Sequence, residues 1–284
     1  MNLDADSTPL RDPIFIAAFE GWNDAADAAT SVIDHLLETW DGDLFAELDP
    51  DEFYDFQQVR PVMHQDETGH AELIWPTPTV FLISNERLQR DFLVLRAFEP
   101  NFRWREFCKA VLDLVMTAGV REVYLMGALL ADVAHSRPVP ISGSTNNPFV
   151  QERLSVNSSG YVGPVGITSA LASEAQAAGL LVTSLWAAVP HYTAEPPCPK
   201  ASLALLIALD EAMDVPLPQE PLRELAEAWQ RGADELMDDD DLREYVQSLE
   251  ENRDGDDSSE VSGDAIAREF ERYLRRRDRE EPNS

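Results

Sequence analysis

The first strong feature of the chain is a run of six apolar residues at positions 14–19, bounded on both sides by turn-forming residues. A continuous apolar run of that length predicts a strand buried on both faces. Gly21 and Asn23 end the run. A helix is expected over 24–40, with Ala28, Val32, His35, Leu36, Thr39 and Trp40 recurring on its inner face. Asp49-Pro50-Asp51-Glu52 reads as a helix start, with a capping Asp, then Pro at the first position and Glu at the third. Strands are expected at 73–75, 80–83, 123–126 and 181–186. Helices are expected at 102–118, stopped by Gly119, at 165–178, stopped by Gly179, and at 200–213. Strands alternating with helices predict an α/β fold, a sheet with helices packed on its faces.

After Pro221 the pattern changes. Residues 222–251 are densely charged, with Leu225, Trp229, Leu236, Leu242, Val246 and Leu249 as spaced apolar positions, so one or two helices are expected there. A polar acidic linker follows, and then an amphipathic helix with Ile266, Phe270, Tyr273 and Leu274 on one face and arginines around it. The expected organisation is an α/β core over 1–220, a helical extension over 221–252, a flexible linker over 253–263 and a last helix with its tail over 264–284.

Composition narrows the partners. The 284 residues hold 22 Lys and Arg against 53 Asp and Glu, a formal net charge of −31. A field of that sign repels phosphate backbones and anionic membranes, so neither nucleic acid nor a membrane is an expected partner. The acidic opening, MNLDADSTPLRD, lacks the apolar stretch of a secretory signal, and no apolar run approaches the ~18 residues of a membrane span. Cys108 and Cys198 are the only two cysteines and form no close pair, which argues against a disulfide framework. The expected location is the cytoplasm.

The chain carries no GxSxG elbow, no HExxH and no phosphate loop ending in Lys, and its only lysines are Lys109 and Lys200. His35, His64, His70, His135 and His191 form no local ligand cluster, so no metal and no cofactor is expected. Four segments stand out. Trp22, Asn23 and Asp24 lie where the first strand meets the first helix, an edge that hosts ligands in open α/β sheets. A capping role for Asn23 or Asp24 is the plainer alternative. Asp132, His135 and Arg137 follow another strand and could bind a ligand or hold their loop by an Asp132–Arg137 ion pair. His191 ends the 181–186 strand region. Phe53, Tyr54, Asp55 and Arg60 could order a loop or form a subunit contact.

These segments resemble the bacterial branch of the proteasome assembly chaperone 2 family. The resemblance is carried in order by Gly21–Ala25, Asp55-Phe56, Arg60-Pro61, Trp75-Pro76, Glu99-Pro100, Arg103-Trp104 and the run from Gly127 to Asp132 with His135 and Arg137-Pro138. It continues through Tyr161, Gly163-Pro164, Gly166-Ile167, Ser184-Leu185-Trp186, Val189–Tyr192 and Pro199-Lys200-Ala201. It implies a mixed sheet flanked by helices, similar to nucleoside phosphorylase-like folds, and a homo-oligomer, with a trimer as the bacterial arrangement. It also implies a non-enzymatic scaffold or assembly chaperone-like role toward a protein client. The alternative reading is a small-molecule enzyme of nucleoside hydrolase or phosphorylase type, built on the polar residues at the strand ends. Docking tails of proteasome chaperones end in a hydrophobic residue, Tyr and one more residue. This chain ends Glu280-Glu281-Pro282-Asn283-Ser284, so tail docking is not expected.

Overall fold

A computed structural model describes residues 9–65, 68–154 and 163–254. The expected linker from residue 255 on and the final helix lie outside the described residues, while Arg253 and Asp254, expected in the linker, end a helix. The apolar run near the N-terminus forms β1 (Ile14–Glu20), and its residues alternate between two cores. Ile14, Ile16 and Ala18 enter one, while Phe15, Ala17 and Phe19 enter the other. Burial on both faces explains why no polar alternation was visible in this segment.

The chain continues through α1 (Ala28–Trp40), β2 (Asp43–Glu47), β3 (Val62–Gln65), β4 (Ala71–Ile74), β5 (Thr79–Asn85), β6 (Arg90–Phe98) and α2 (Trp104–Thr117). It then forms β7 (Glu122–Ala131), β8 (Ile141–Thr145), α3 (Pro148–Leu154), α4 (Ile167–Ala177), β9 (Leu181–Pro190), α5 (Pro199–Met213), α6 (Glu220–Glu235) and α7 (Asp240–Asp254). Seven strands make one mixed sheet in the order β2-β5-β6-β1-β7-β9-β8. The central four, β6, β1, β7 and β9, are parallel, and β5, β2 and β8 join by antiparallel pairing. Helices α1, α3 and α5 contribute to the core on one face, and α2 and α4 to the core on the other. Gly127 in β7 makes room for a close contact. A Cβ there would stand 2.6 Å from the ring of Trp186, its cross-strand partner in β9.

Several expectations shift in the structure. The segment after Asp49 forms only a 3₁₀ turn, Pro50–Glu52, although the Asp49 side chain does accept from the Asp51 N–H at 3.0 Å. The turn goes no further because Phe53 and Tyr54 leave it to enter the core. Phe53 packs edge-on to Phe107 at 5.2 Å, and the Tyr54 hydroxyl donates to the Phe98 carbonyl at 3.0 Å. Both side chains are therefore buried within the chain. The first long helix begins at Ala28, later than expected, because Ala26 and Asp27 adopt left-handed backbone angles.

The charged region after Pro221 divides into α6 and α7. Leu222 belongs to the main core cluster, and Ala226, Ala233 and Val246 are buried, so the extension is packed onto the α/β unit. Among the described residues no helix is long and apolar enough to cross a membrane.

Candidate functional site

The four parallel strands end on one edge of the sheet, and the polar segments singled out in the sequence converge there. The first group is built at the end of β1. Asp24 is buried and does cap the helix, from a distance. Its carboxylate accepts from Ala29 N–H at 2.6 Å and Thr30 N–H at 3.0 Å, and also from the Thr30 hydroxyl. These are backbone donors at a helix start that have no partner within the helix. Burial nevertheless pushes the Asp24 carboxyl up to about 6, with the three hydrogen bonds opposing the shift. Asn23 donates to Glu99 Oε1 at 2.7 Å, and that oxygen also accepts from Ile167 N–H at 2.9 Å, at the start of α4. The backbone carbonyl of Asn23 receives Ala128 N–H at 2.8 Å, tying this turn to β7. Gly166 permits the approach, since a Cβ there would lie 2.0 Å from Asn23 Oδ1. Trp22 is half-buried beside them.

Glu20, the last residue of β1, pairs with Arg96, which also binds Asp34 at 2.5 Å. Burial raises the Glu20 carboxyl, and Arg96 lowers it.

The second group lies where β7 and β9 end, beneath the helical extension. His135 is buried. Its backbone N–H donates to the Tyr192 hydroxyl at 2.7 Å, and its Nδ1 lies 2.8 Å from the same oxygen. In the neutral ring Nδ1 accepts from that hydroxyl, because the group opposite the other nitrogen is a carboxylate that can only accept, which keeps the ring proton on Nε2. That nitrogen faces Asp234 of α6 at 3.3 Å. Burial lowers the His135 pKa, and Asp234 acts against it. Lys200 donates to the His135 carbonyl and to Gln230 of α6, and its own pKa is lowered by burial. Asp132 meets the Tyr245 hydroxyl of α7 at 3.4 Å and His191 Nδ1 at 3.4 Å. His191, Tyr192 and Tyr245 stack edge to face, with centroids 5.6 to 6.1 Å apart. Ser136 bonds to Glu250 of α7.

The expected Asp132–Arg137 ion pair is replaced by the contacts of Asp132 with His191 and Tyr245. Arg137 sits partly buried in the turn, its N–H donating to Ala134 O at 3.2 Å. Asn23 and Asp24 bond within the corner between β1, α1 and α4, whereas Asp132 and His135 meet α7 and α6 and His191 stacks on Tyr245, its buried Nδ1 making no hydrogen bond. Sequence reasoning overlooked Glu99, Tyr192, Lys200, Asp234 and Tyr245. The first three stood in the motif segments already quoted. The last two are in the extension and carried no local signal.

Neither cysteine is placed for nucleophilic work. Both are buried, and burial raises both thiols, Cys108 to about 11. Among the described residues no group of three or more His, Cys, Asp or Glu is arranged to hold a metal ion.

The model of the PAC2 family matches residues 18–237, which spans every element of this edge as far as α6. The chain belongs to the PAC2 family. No curated protein matches it. Among solved structures, a PAC2 family protein from Streptomyces avermitilis is 44% identical, with a TM-score of 0.77, covering 83% of this chain and 100% of its own. A proteasome-assembly chaperone homologue from Mycobacterium tuberculosis is 40% identical, with a TM-score of 0.75, covering 82% of this chain and 99% of its own. PbaB, an archaeal proteasome activator from Pyrococcus furiosus, shares the fold at 18% identity and a TM-score of 0.62, covering 82% and 96%. The PAC2 fold supplies the mixed sheet, and α6 and α7 pack over the ends of β7 and β9 at its carboxyl edge.

Proposed function

We propose that this protein is a non-enzymatic, oligomeric, chaperone-like scaffold acting on a protein client in the cytoplasm. The observation that carries the reading is the closed carboxyl edge. The crevice where open α/β folds hold small ligands is here lined by side chains that bond to one another and to the protein's own α6 and α7. The name given to the Mycobacterium tuberculosis relative points the same way. The enzyme alternative has less support, because Asp24 and His135 already have partners in the fold, although Asn23 Oδ1 and His191 Nδ1 are buried without a hydrogen bond.

An oligomer, with a trimer as the specific reading, is supported by the β3–β4 hairpin. Among the described residues its strands pair only with each other. Register places Val62 opposite Ile74 and Met63 opposite Leu73, so each face carries an apolar pair. These four side chains are 42 to 64% exposed. An isolated two-stranded hairpin is marginal in water, and one that is apolar on both faces suits a cleft between other surfaces, which neighbouring copies would supply. Of the earlier subunit-contact residues, Arg60 is exposed and Asp55 half-exposed at the base of this arm.

Light scattering across a micromolar dilution series tests the reading. The expected mass is about three times the 31.7 kDa protomer, falling when Val62 and Ile74 are both changed to Asp. A mass at the protomer value throughout would sink the oligomer. Turnover of nucleosides with phosphate or water, lost in folded Asp132→Asn or His135→Ala, would sink the scaffold.

A further inference from the structure

The opposite edge of the sheet, where the parallel strands begin, holds a cleft of about 610 Å³. It lies between the β5–β6 turn, the starts of β7 and β9, α3, and the end of α5. Three arginines line it, Arg87, Arg90 and Arg153, against two acids, Glu122 and Asp214. In a chain with 22 basic and 53 acidic residues this balance is locally inverted.

The arginines differ in what they have left to give. Arg90 donates to Asp12 at 2.7 Å and to Glu122 at 3.1 Å. Glu122 also accepts from the Tyr124 hydroxyl at 2.9 Å, so its charge is already met. Arg153 reaches the last turn of α5, where its Nη1 donates to Ala212 O at 3.0 Å and Glu211 O at 3.4 Å. Among the described residues its Nε and Nη2 donors have no hydrogen-bond partner. Arg87 is exposed, and among the described residues its guanidinium makes no ion pair or hydrogen bond. Its backbone is nonetheless fixed, because Asn85 Oδ1 accepts from both Arg87 N–H and Leu88 N–H.

Apart from Asn147, the rest of the lining is apolar, including Leu88, Met213 and Val215, and Phe149 on α3 is 68% exposed. A guanidinium fork matches carboxylate and phosphate oxygens, and an open aromatic face offers a stacking surface. The volume falls within the range of small-ligand sites.

We propose that this cleft binds a small anion carried on a flat apolar ring, the anionic group being a phosphate or a carboxylate. Arg87 and Arg153 hold the charge, Arg90 completes the cationic wall, and Phe149 stacks on the ring. This site lies on the edge away from the closed crevice and does not depend on the chaperone-like reading.

The test is calorimetric titration of the full chain with adenosine 5′-monophosphate and with 1-naphthoate, the neutral controls being adenosine and 1-naphthamide. One charged probe should saturate one site per protomer and bind at least about tenfold more tightly than its neutral control, as expected for a charge-assisted hydrogen bond. Which charged probe binds tells phosphate from carboxylate. Arg87→Gln and Phe149→Ala should each weaken binding about tenfold without moving the melting temperature, since both side chains are exposed. Affinity should fall as salt rises. Failure of both charged probes to saturate by about 10 mM, or binding by the two variants equal to the parent, overturns the proposal.

Discussion

Asp24 gives the sharpest test of the carboxyl edge, because two effects of known sign compete there. Its carboxylate accepts three hydrogen bonds at the start of α1, yet burial lifts its pKa to about 6, against 3.8 for the free group. A carboxyl with a raised folded-state pKa is most favourable below its unfolded value. Its contribution is lost as pH rises through the folded value. With these two pKa values, linkage gives a loss of about 1.4 kcal/mol between pH 5.0 and pH 7.5. Asp24→Asn removes the titration but keeps the shape.

The variant leaves the Thr30 N–H without an acceptor, a cost of about 1–3 kcal/mol that does not vary with pH. The stability gap between parent and variant should therefore be wider at pH 5.0 and narrow by about 1.4 kcal/mol at pH 7.5. The change in the gap corresponds to about 2–3 °C in melting temperature. Urea unfolding of both proteins at the two pH values measures it, still above the sequence pI of about 4.3. His135 titrates in the opposite sense: its depressed pKa gives a contribution present above about 6.5 and lost as pH falls. It is common to both proteins and cancels in the difference. A gap that widens toward pH 7.5 would mean that the hydrogen bonds outweigh burial and that the carboxylate is held ionised.

Three further outcomes are expected. Tyr192→Phe leaves both the backbone N–H and the Nδ1 of His135 without a partner, and should cost about 2–4 kcal/mol in urea unfolding; a loss below about 0.5 kcal/mol would mean that water replaces the hydroxyl. Phe107→Ala empties a fully buried position packed against Phe19 and Phe53 and should cost about 3–5 kcal/mol, read from the shift in denaturant midpoint at constant slope. Truncation after Asp254 should leave the main melting transition nearly unchanged, because the sequence that follows is too polar to supply core; a large drop in calorimetry would place the final amphipathic segment in the core.

How far these features could be read from sequence depended on where the partners lie. β1 was evident because its burial needs only its own apolar residues. β6 was overlooked, although it is central to the sheet. Asp91 and Arg96 interrupt its apolar run, and their neutralising partners, Arg11 on one side and Glu20 with Asp34 on the other, are more than sixty residues away in sequence. The helix start at Asp49 was legible at the cap, but nothing local showed that it stops after one 3₁₀ turn, because Phe53 and Tyr54 answer to Phe107 and Phe98 rather than to helical spacing. Asp24 showed its capping role because the donors it serves are five and six residues downstream. Asp132 looked as though it would pair with Arg137 because the two are near in sequence. Its actual neighbours are His191 and Tyr245, the latter 113 residues on and reached only once the extension folds back.

The close fit of Trp186 over Gly127 makes the protein carry its own optical gauge. The indole is pressed onto the strand that pairs with its own, at the seam where β7 and β9 meet. Any loosening of that seam changes what surrounds the ring before the sheet as a whole comes apart. With the other five tryptophans replaced, emission from Trp186 would follow the β7–β9 seam alone, and Gly127→Ala would give the reference spectrum of an indole displaced from its seat.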